Sequence, residues 1–134
     1  MATDPDALLT LARECLERSY APYSRFPVAA AVVDDRGRVF TGVNVENISY
    51  GLSMCAERVA IFTAVAAGAR RITALAVTAT GAELLSPCGA CRQVVAEFAP
   101  PEIPIYCETA GKLHCWTLAE LLPHAFAASQ LGKS

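Results

Sequence analysis

Two short segments constrain this chain more than any others: MCAERVAIF, residues Met54–Phe62, and SPCGACRQVV, residues Ser86–Val95. Each sets cysteine at the head of a run with helical spacing. Cys55 opens the first. Cys88 and Cys91, three apart and so on one helix face, open the second. A fold that brings those two helix starts together gathers three thiols at one point, and helix N-termini favour the thiolate that a metal requires. Positions 55 and 57 differ by about 200° around a helix. Glu57 therefore joins the same site only if Cys55 stands at the cap and the site lies off the helix end.

Three protein ligands with a place for water describe a catalytic zinc; four closed ligands describe a structural one. Cys107, Cys115, His114 and His124 show no spacing that nominates a fourth ligand, so the open site is the preferred expectation. A Cys-x-x-C pair alone also suits a thioredoxin-like redox centre. That alternative leaves Cys55 and Glu57 without a role. Burial as plain free thiols suits Cys15, Cys107 and Cys115, and in a reducing cytosol the even count of six cysteines is no sign of disulfides.

At 134 residues the chain has the length of one domain, 1–134, with enough surface to bury a core. Apolar residues make up 54% and charged residues 18%. No apolar run approaches the roughly 20 residues of a membrane span, and the opening MATDPDALL is acidic, unlike a secretory signal. A cytoplasmic protein is expected. The net charge is −2, and lysine and arginine form no cluster able to track a phosphate backbone. A small neutral ligand fits better than a nucleic-acid polymer.

Asp4-Pro5 reads as a helix cap followed by proline at the first helical position, and Leu8, Leu9, Ala12, Cys15 and Leu16 continue the apolar face, giving a helix over about residues 5–19. Val28–Val33 and Arg38–Val45, joined by DDRG, form a hairpin. A second helix runs from Cys55 to Ala67 and ends at Gly68. Then come a strand over Ile72–Ala79, a helix over Gly89–Phe98 stopped by Pro100-Pro101, and strands over Ile103–Cys107 and Lys112–Trp116. The last two are too close in sequence for a crossover and must be antiparallel. TLAELLPHAF supplies a short final helix. The order predicts an α/β three-layer sandwich: a mixed five-stranded sheet between helices, its last strand antiparallel.

The segments YAPYSRFPVAAA, GVNVENISYG, CAERVAIF, SPCGACRQV and ELLPHAF, in that order, make the chain resemble the zinc-dependent cytidine deaminases, specifically the short homotetrameric type of pyrimidine nucleoside salvage. The likeness runs from about Tyr20 to Phe126 and implies one zinc per subunit on Cys55, Cys88 and Cys91, with Glu57 as the proton carrier rather than a ligand. In that chemistry zinc makes hydroxide available for attack at C4 of the cytosine ring. Glu57 moves one proton to N3 and a second to the departing amine. The resemblance further implies that Asn44 and Glu46, side by side by the period of two, hold the 3′-hydroxyl of the ribose. It implies that Phe26 packs on the base, that the Ala56 amide meets the ring O2, and that Phe126 reaches into a neighbouring subunit to complete a shared active site. Arg58, and with it Arg92, is expected to hydrogen-bond thiolate sulfurs and draw off charge. Ala29 departs from the family's usual glycine in FPVGAA; its methyl is expected to crowd a neighbour or tune the pocket. Deaminases of nucleoside antibiotics such as blasticidin S share the zinc motifs but lack the Asn-x-Glu pair present here.

Overall fold

The computed structural model describes residues 4–81 and 85–132. Five strands, β1 (Val28–Asp34), β2 (Val39–Val43), β3 (Ile72–Ala79), β4 (Pro104–Thr109) and β5 (Lys112–Thr117), form one sheet in the order β2-β1-β3-β4-β5. Only the β3–β4 pair is parallel; β5 returns antiparallel along β4, with Tyr106 opposite Cys115. The α-helices are α1 (Pro5–Cys15), α2 (Ala56–Ala66), α3 (Gly89–Phe98) and α4 (Leu118–Leu121).

The mostly small residues of β1, all seven buried, give the sheet two apolar faces. On one, Leu8, Leu9 and Ala12 of α1 pack on Ala29, Ala31, Val33, Ala74 and Ala76. On the other, Ala56, Ala60, Ile61 and Ala64 of α2 and Val95 of α3 pack against alternate residues of the same strands, such as Ala30, Val32, Leu75 and Ile105. The expected three layers and mixed sheet are present.

Local departures have local causes. The first helix ends as an α-helix at Cys15 and tightens into a 3-10 turn over Leu16–Arg18, rather than running to 19. β2 stops at Val43, because Val45 is drawn aside into isolated bridges with Tyr20 and Met54. Ala29 lies in the α1-facing cluster, fully buried. Its methyl therefore points to the opposite side of the sheet from Val28, and the expectation that it tunes the pocket is corrected: it is core.

Direction in the sheet explains why two distant segments meet. β1 runs antiparallel to both β2 and β3, so β2 and β3 point the same way. The chain leaves the same end of the sheet after each of them, and α2 and α3 both begin there.

Candidate active site

Cys55 is the N-cap of α2 in extended conformation (φ −73°, ψ 151°), and Cys88 is the N-cap of α3 (φ −67°, ψ 168°). Neither helix start carries a side-chain cap, so no capping side chain takes up the first-turn amides. The cap position of Cys55 meets the condition set by the helical wheel: Cys55 and Glu57 share one site at the end of α2.

Sγ of Cys55 lies 3.6 Å from Sγ of Cys88, which lies 3.5 Å from Sγ of Cys91. All three sulfurs fall within 4.8 Å of one another, and among the described residues no other cysteine, histidine or acid joins the group. Sulfurs bound about 2.3 Å from a tetrahedral zinc stand about 3.8 Å apart, so the spacing and the donor type fit zinc with one position left open. Cys91 is buried and Cys88 exposed, which places the opening on the Cys88 side.

The charges around this cluster are arranged by neighbours. A hydrogen bond from Cys91 and, against the cost of burial, one from Arg58 pull the Cys55 thiol down to about 5. The same sharing with Cys55, followed by burial, pushes the Cys91 thiol up. Arg58 Nη2 donates to Cys55 Sγ at 3.4 Å, while its Nε is buried without a hydrogen-bond partner among the described residues. Glu57 is only 4% exposed. Burial first, then the nearby Cys55, raises its carboxyl to about 7, the range in which one group can both take and give a proton.

Arg92 is different. Its guanidinium donates to the Pro87 carbonyl at 2.7 Å, the Leu121 carbonyl at 2.8 Å and Ser86 Oγ at 3.1 Å. The expectation that it hydrogen-bonds a sulfur is corrected: it braces the loop before α3 against α4, because a backbone carbonyl at the α3 start is within easier reach than the sulfurs beyond it.

A cleft of about 240 Å³ opens beside the sulfurs, lined in part by Cys55, Glu57 and Cys88. Phe26, Asn44, Glu46 and Ala56 line it too, so the predicted nucleoside-facing residues converge from the loop before β1, the end of β2 and the start of α2. Phe126 does not line this cleft. It is 58% exposed on the surface beyond α4, where Gln93 Nε2 donates to its carbonyl at 2.9 Å. Ser24, Val28, Leu85 and Ser86 also line the cleft and were not singled out from the sequence. Ser24 and Ser86 lie inside YSRF and SPCGAC, so adjacency to the motifs was their only signal.

Fold and site together define a zinc enzyme whose three grouped thiols stand beside a buried carboxyl. Residues 2–107 match the family described as the cytidine and deoxycytidylate deaminase zinc-binding region. A cytidine deaminase of Sporosarcina psychrophila is 43% identical over 129 residues, covering 96% of this chain and 95% of that protein. A cytidine deaminase of Mycobacterium tuberculosis is 43% identical over 113 residues, 84% of this chain and 82% of that one. Among solved structures, the cytidine deaminase of Burkholderia pseudomallei superposes with a TM-score of 0.86 at 45% identity, covering 90% of this chain and 98% of that chain. The chain belongs to the cytidine and deoxycytidylate deaminase zinc-binding family.

Proposed function

We propose that the chain hydrolyses cytidine, 2′-deoxycytidine or both to the uracil nucleoside and ammonia, in pyrimidine salvage in the cytoplasm, as one catalytic domain over 1–134 that works within a homotetramer. The observation that carries the reaction is the buried Glu57, two residues from Cys55 and lining the same cleft as Cys55 and Cys88.

Cys55, Cys88 and Cys91 would hold one zinc per subunit. When bound there, zinc supplies Lewis acidity that brings the pKa of water towards neutrality. Glu57 takes a proton from the water that adds to C4 and delivers it to N3 of the ring. Glu57 then takes the proton of the new 4-hydroxyl and hands it to the departing amine as the C4–N bond breaks and the C4 carbonyl forms, so water and cytidine leave as uridine and ammonia. Burial holds this carboxyl where both transfers are possible near neutral pH. Arg58 offsets the surplus negative charge of three thiolates through Cys55.

Phe26 forms a wall for the base, the Ala56 amide is placed for the ring O2, and Asn44 and Glu46 take the ribose 3′-hydroxyl. The cleft, at about 240 Å³, is smaller than the roughly 300–1,000 Å³ usual for a ligand site. A wall supplied by a neighbour's Phe126 would complete it, which supports the shared-site tetramer. Metal analysis alongside ammonia release from cytidine, 2′-deoxycytidine and blasticidin S tests the assignment. About one zinc per chain with turnover of a pyrimidine nucleoside is expected; turnover of the antibiotic alone would overturn the substrate class.

A further inference from the structure

The loop leading into β1 is closed through one hydroxyl. Ser24 Oγ donates to Glu46 Oε2 and accepts from the Phe26 amide at 3.1 Å. The amides of Tyr23 and Ser24 donate to Glu46 Oε1 at 3.0 and 3.1 Å. A carboxylate offers about four lone-pair positions. Three are taken by the loop, which leaves Glu46 able to accept from one further donor in the cleft.

Between Ser24 and Phe26, Arg25 adopts φ 57°, a left-handed conformation that a long side chain keeps only where its surroundings hold it. Its amide is held by the Ala21 carbonyl at 2.9 Å. On the far side of Phe26, the carbonyl accepts from Asn44 Nδ2 at 2.9 Å, and Asn44 Oδ1 accepts from the Val28 amide at 3.0 Å. The backbone of Phe26 is thus tied at its amide, through Ser24, to Glu46 and at its carbonyl to Asn44. Base wall and sugar-facing side chains form one hydrogen-bonded unit, with the Ser24 hydroxyl as the joint.

We propose that Ser24 is a positioning residue that orients the Glu46 carboxylate for a single sugar hydroxyl, and so sets the preference for nucleosides that carry the 3′-hydroxyl. This rests on the proposed role of Glu46 above. Without the Ser24 hydroxyl, Glu46 Oε2 loses its fixed donor and the carboxylate is held at Oε1 alone, by the Tyr23 and Ser24 amides. The Phe26 amide loses its acceptor at the same time.

The test is steady-state kinetics of the zinc-loaded enzyme with cytidine and 3′-deoxycytidine, for wild type, Ser24→Ala and Ser24→Thr, with zinc content and melting temperature measured for each. Wild type should prefer cytidine in kcat/KM by roughly ten- to a hundredfold, the range of one hydrogen bond to a charged acceptor. Ser24→Ala should shrink that preference by at least about fivefold, through a higher KM for cytidine rather than through kcat. Ser24→Thr, which keeps the hydroxyl, should retain it. The same ratio is read in equilibrium binding of the products uridine and 3′-deoxyuridine. If Ser24→Ala does not accumulate as folded protein, Ser24→Cys, a weaker donor of similar shape, carries the test and should fall between alanine and wild type. A Ser24 variant that raises KM for both nucleosides by the same factor, or for neither, overturns the role of Ser24 while leaving Glu46 in place. A wild type indifferent to the 3′-hydroxyl removes the Glu46 grip itself, and the proposal with it.

Discussion

The main chain of Gly42 in β2 runs so close to Ala60 of α2 that a Cβ on Gly42 would stand 2.9 Å from Ala60 Cα and closer still to its amide nitrogen. The Ala56 carbonyl oxygen would lie 2.7 Å away. Both neighbours are backbone, so neither can rotate aside. Gly42→Ala should cost about 1–3 kcal/mol, as overpacking does. The helix it displaces carries Cys55 at its N-cap and Glu57 in its first turn, so zinc should also pass to a chelator faster. Thermal melts and chelator competition measure both; a variant that melts and holds zinc like the wild type would mean that α2 does not depend on this approach.

Gly81 faces a side chain instead. A Cβ there would come 3.3 Å from Phe26 Cδ1, 3.4 Å from Cζ and nearer still to Cε1. The ring can yield, and the cleft it lines is open space. Gly81→Ala should therefore leave the melting temperature almost unchanged while raising KM for cytidine roughly three- to tenfold, part of the value of one base–aromatic contact. In a Phe26→Leu background the Gly81→Ala effect should vanish. An equal effect in both backgrounds would place its cause elsewhere.

These two glycines show where the sequence stops being legible. Periodicity and turn chemistry suffice for the hairpin, for α3 and for β5, because those elements depend on neighbours in sequence. The three thiols and Glu57 were legible because helix-start placement is a local property and the strand order then brings the starts together. Gly42 carried a usable signal, since glycine inside a strand often marks a close backbone approach. Gly81, the Ser24–Glu46 joint and the carbonyls that occupy Arg92 were not legible. Each depends on which distant atom happens to be within reach, and Gly81 and Phe26 are separated by the whole of β1, β2, α2 and β3.

Asp34 at the end of β1 is 1% exposed. Burial raises its carboxyl, but the amides of Arg38 and Arg36, at 2.8 and 3.0 Å, and the Arg38 guanidinium, at 2.7 Å, outweigh it and hold it below the ordinary range. A carboxyl depressed in the folded state contributes stability above its unfolded pKa of about 3.9 and loses it as pH falls through the folded value. The melting-temperature gap between wild type and Asp34→Asn should therefore be full at neutral pH and close on acidification below about pH 4. A gap of constant size down to about pH 3 would show that the charge contributes nothing.

Phe126 tests the proposed sharing of the site between subunits. Phe126→Ala should raise KM roughly ten- to a hundredfold with zinc unchanged, the range of one base–aromatic contact. Subunits carrying Phe126→Ala and subunits carrying Glu57→Gln, dissociated and reassembled together, should recover low-KM turnover, because each Glu57→Gln chain lends its Phe126 to a neighbour that still has its own Glu57. No recovery in verified mixed assemblies, or a fully active monomer in light scattering, would remove Phe126 from the site.

The most direct test is the ammonia released by a Glu57→Gln protein whose zinc content has been measured on the same sample. Glutamine keeps the shape of the buried side chain and removes its charge and its capacity to carry a proton. The account predicts about one zinc per chain, a wild-type melting profile and turnover lower by roughly a hundred- to ten-thousandfold. A zinc-replete variant that retains more than about a tenth of wild-type turnover would contradict the assignment of Glu57 as the proton carrier.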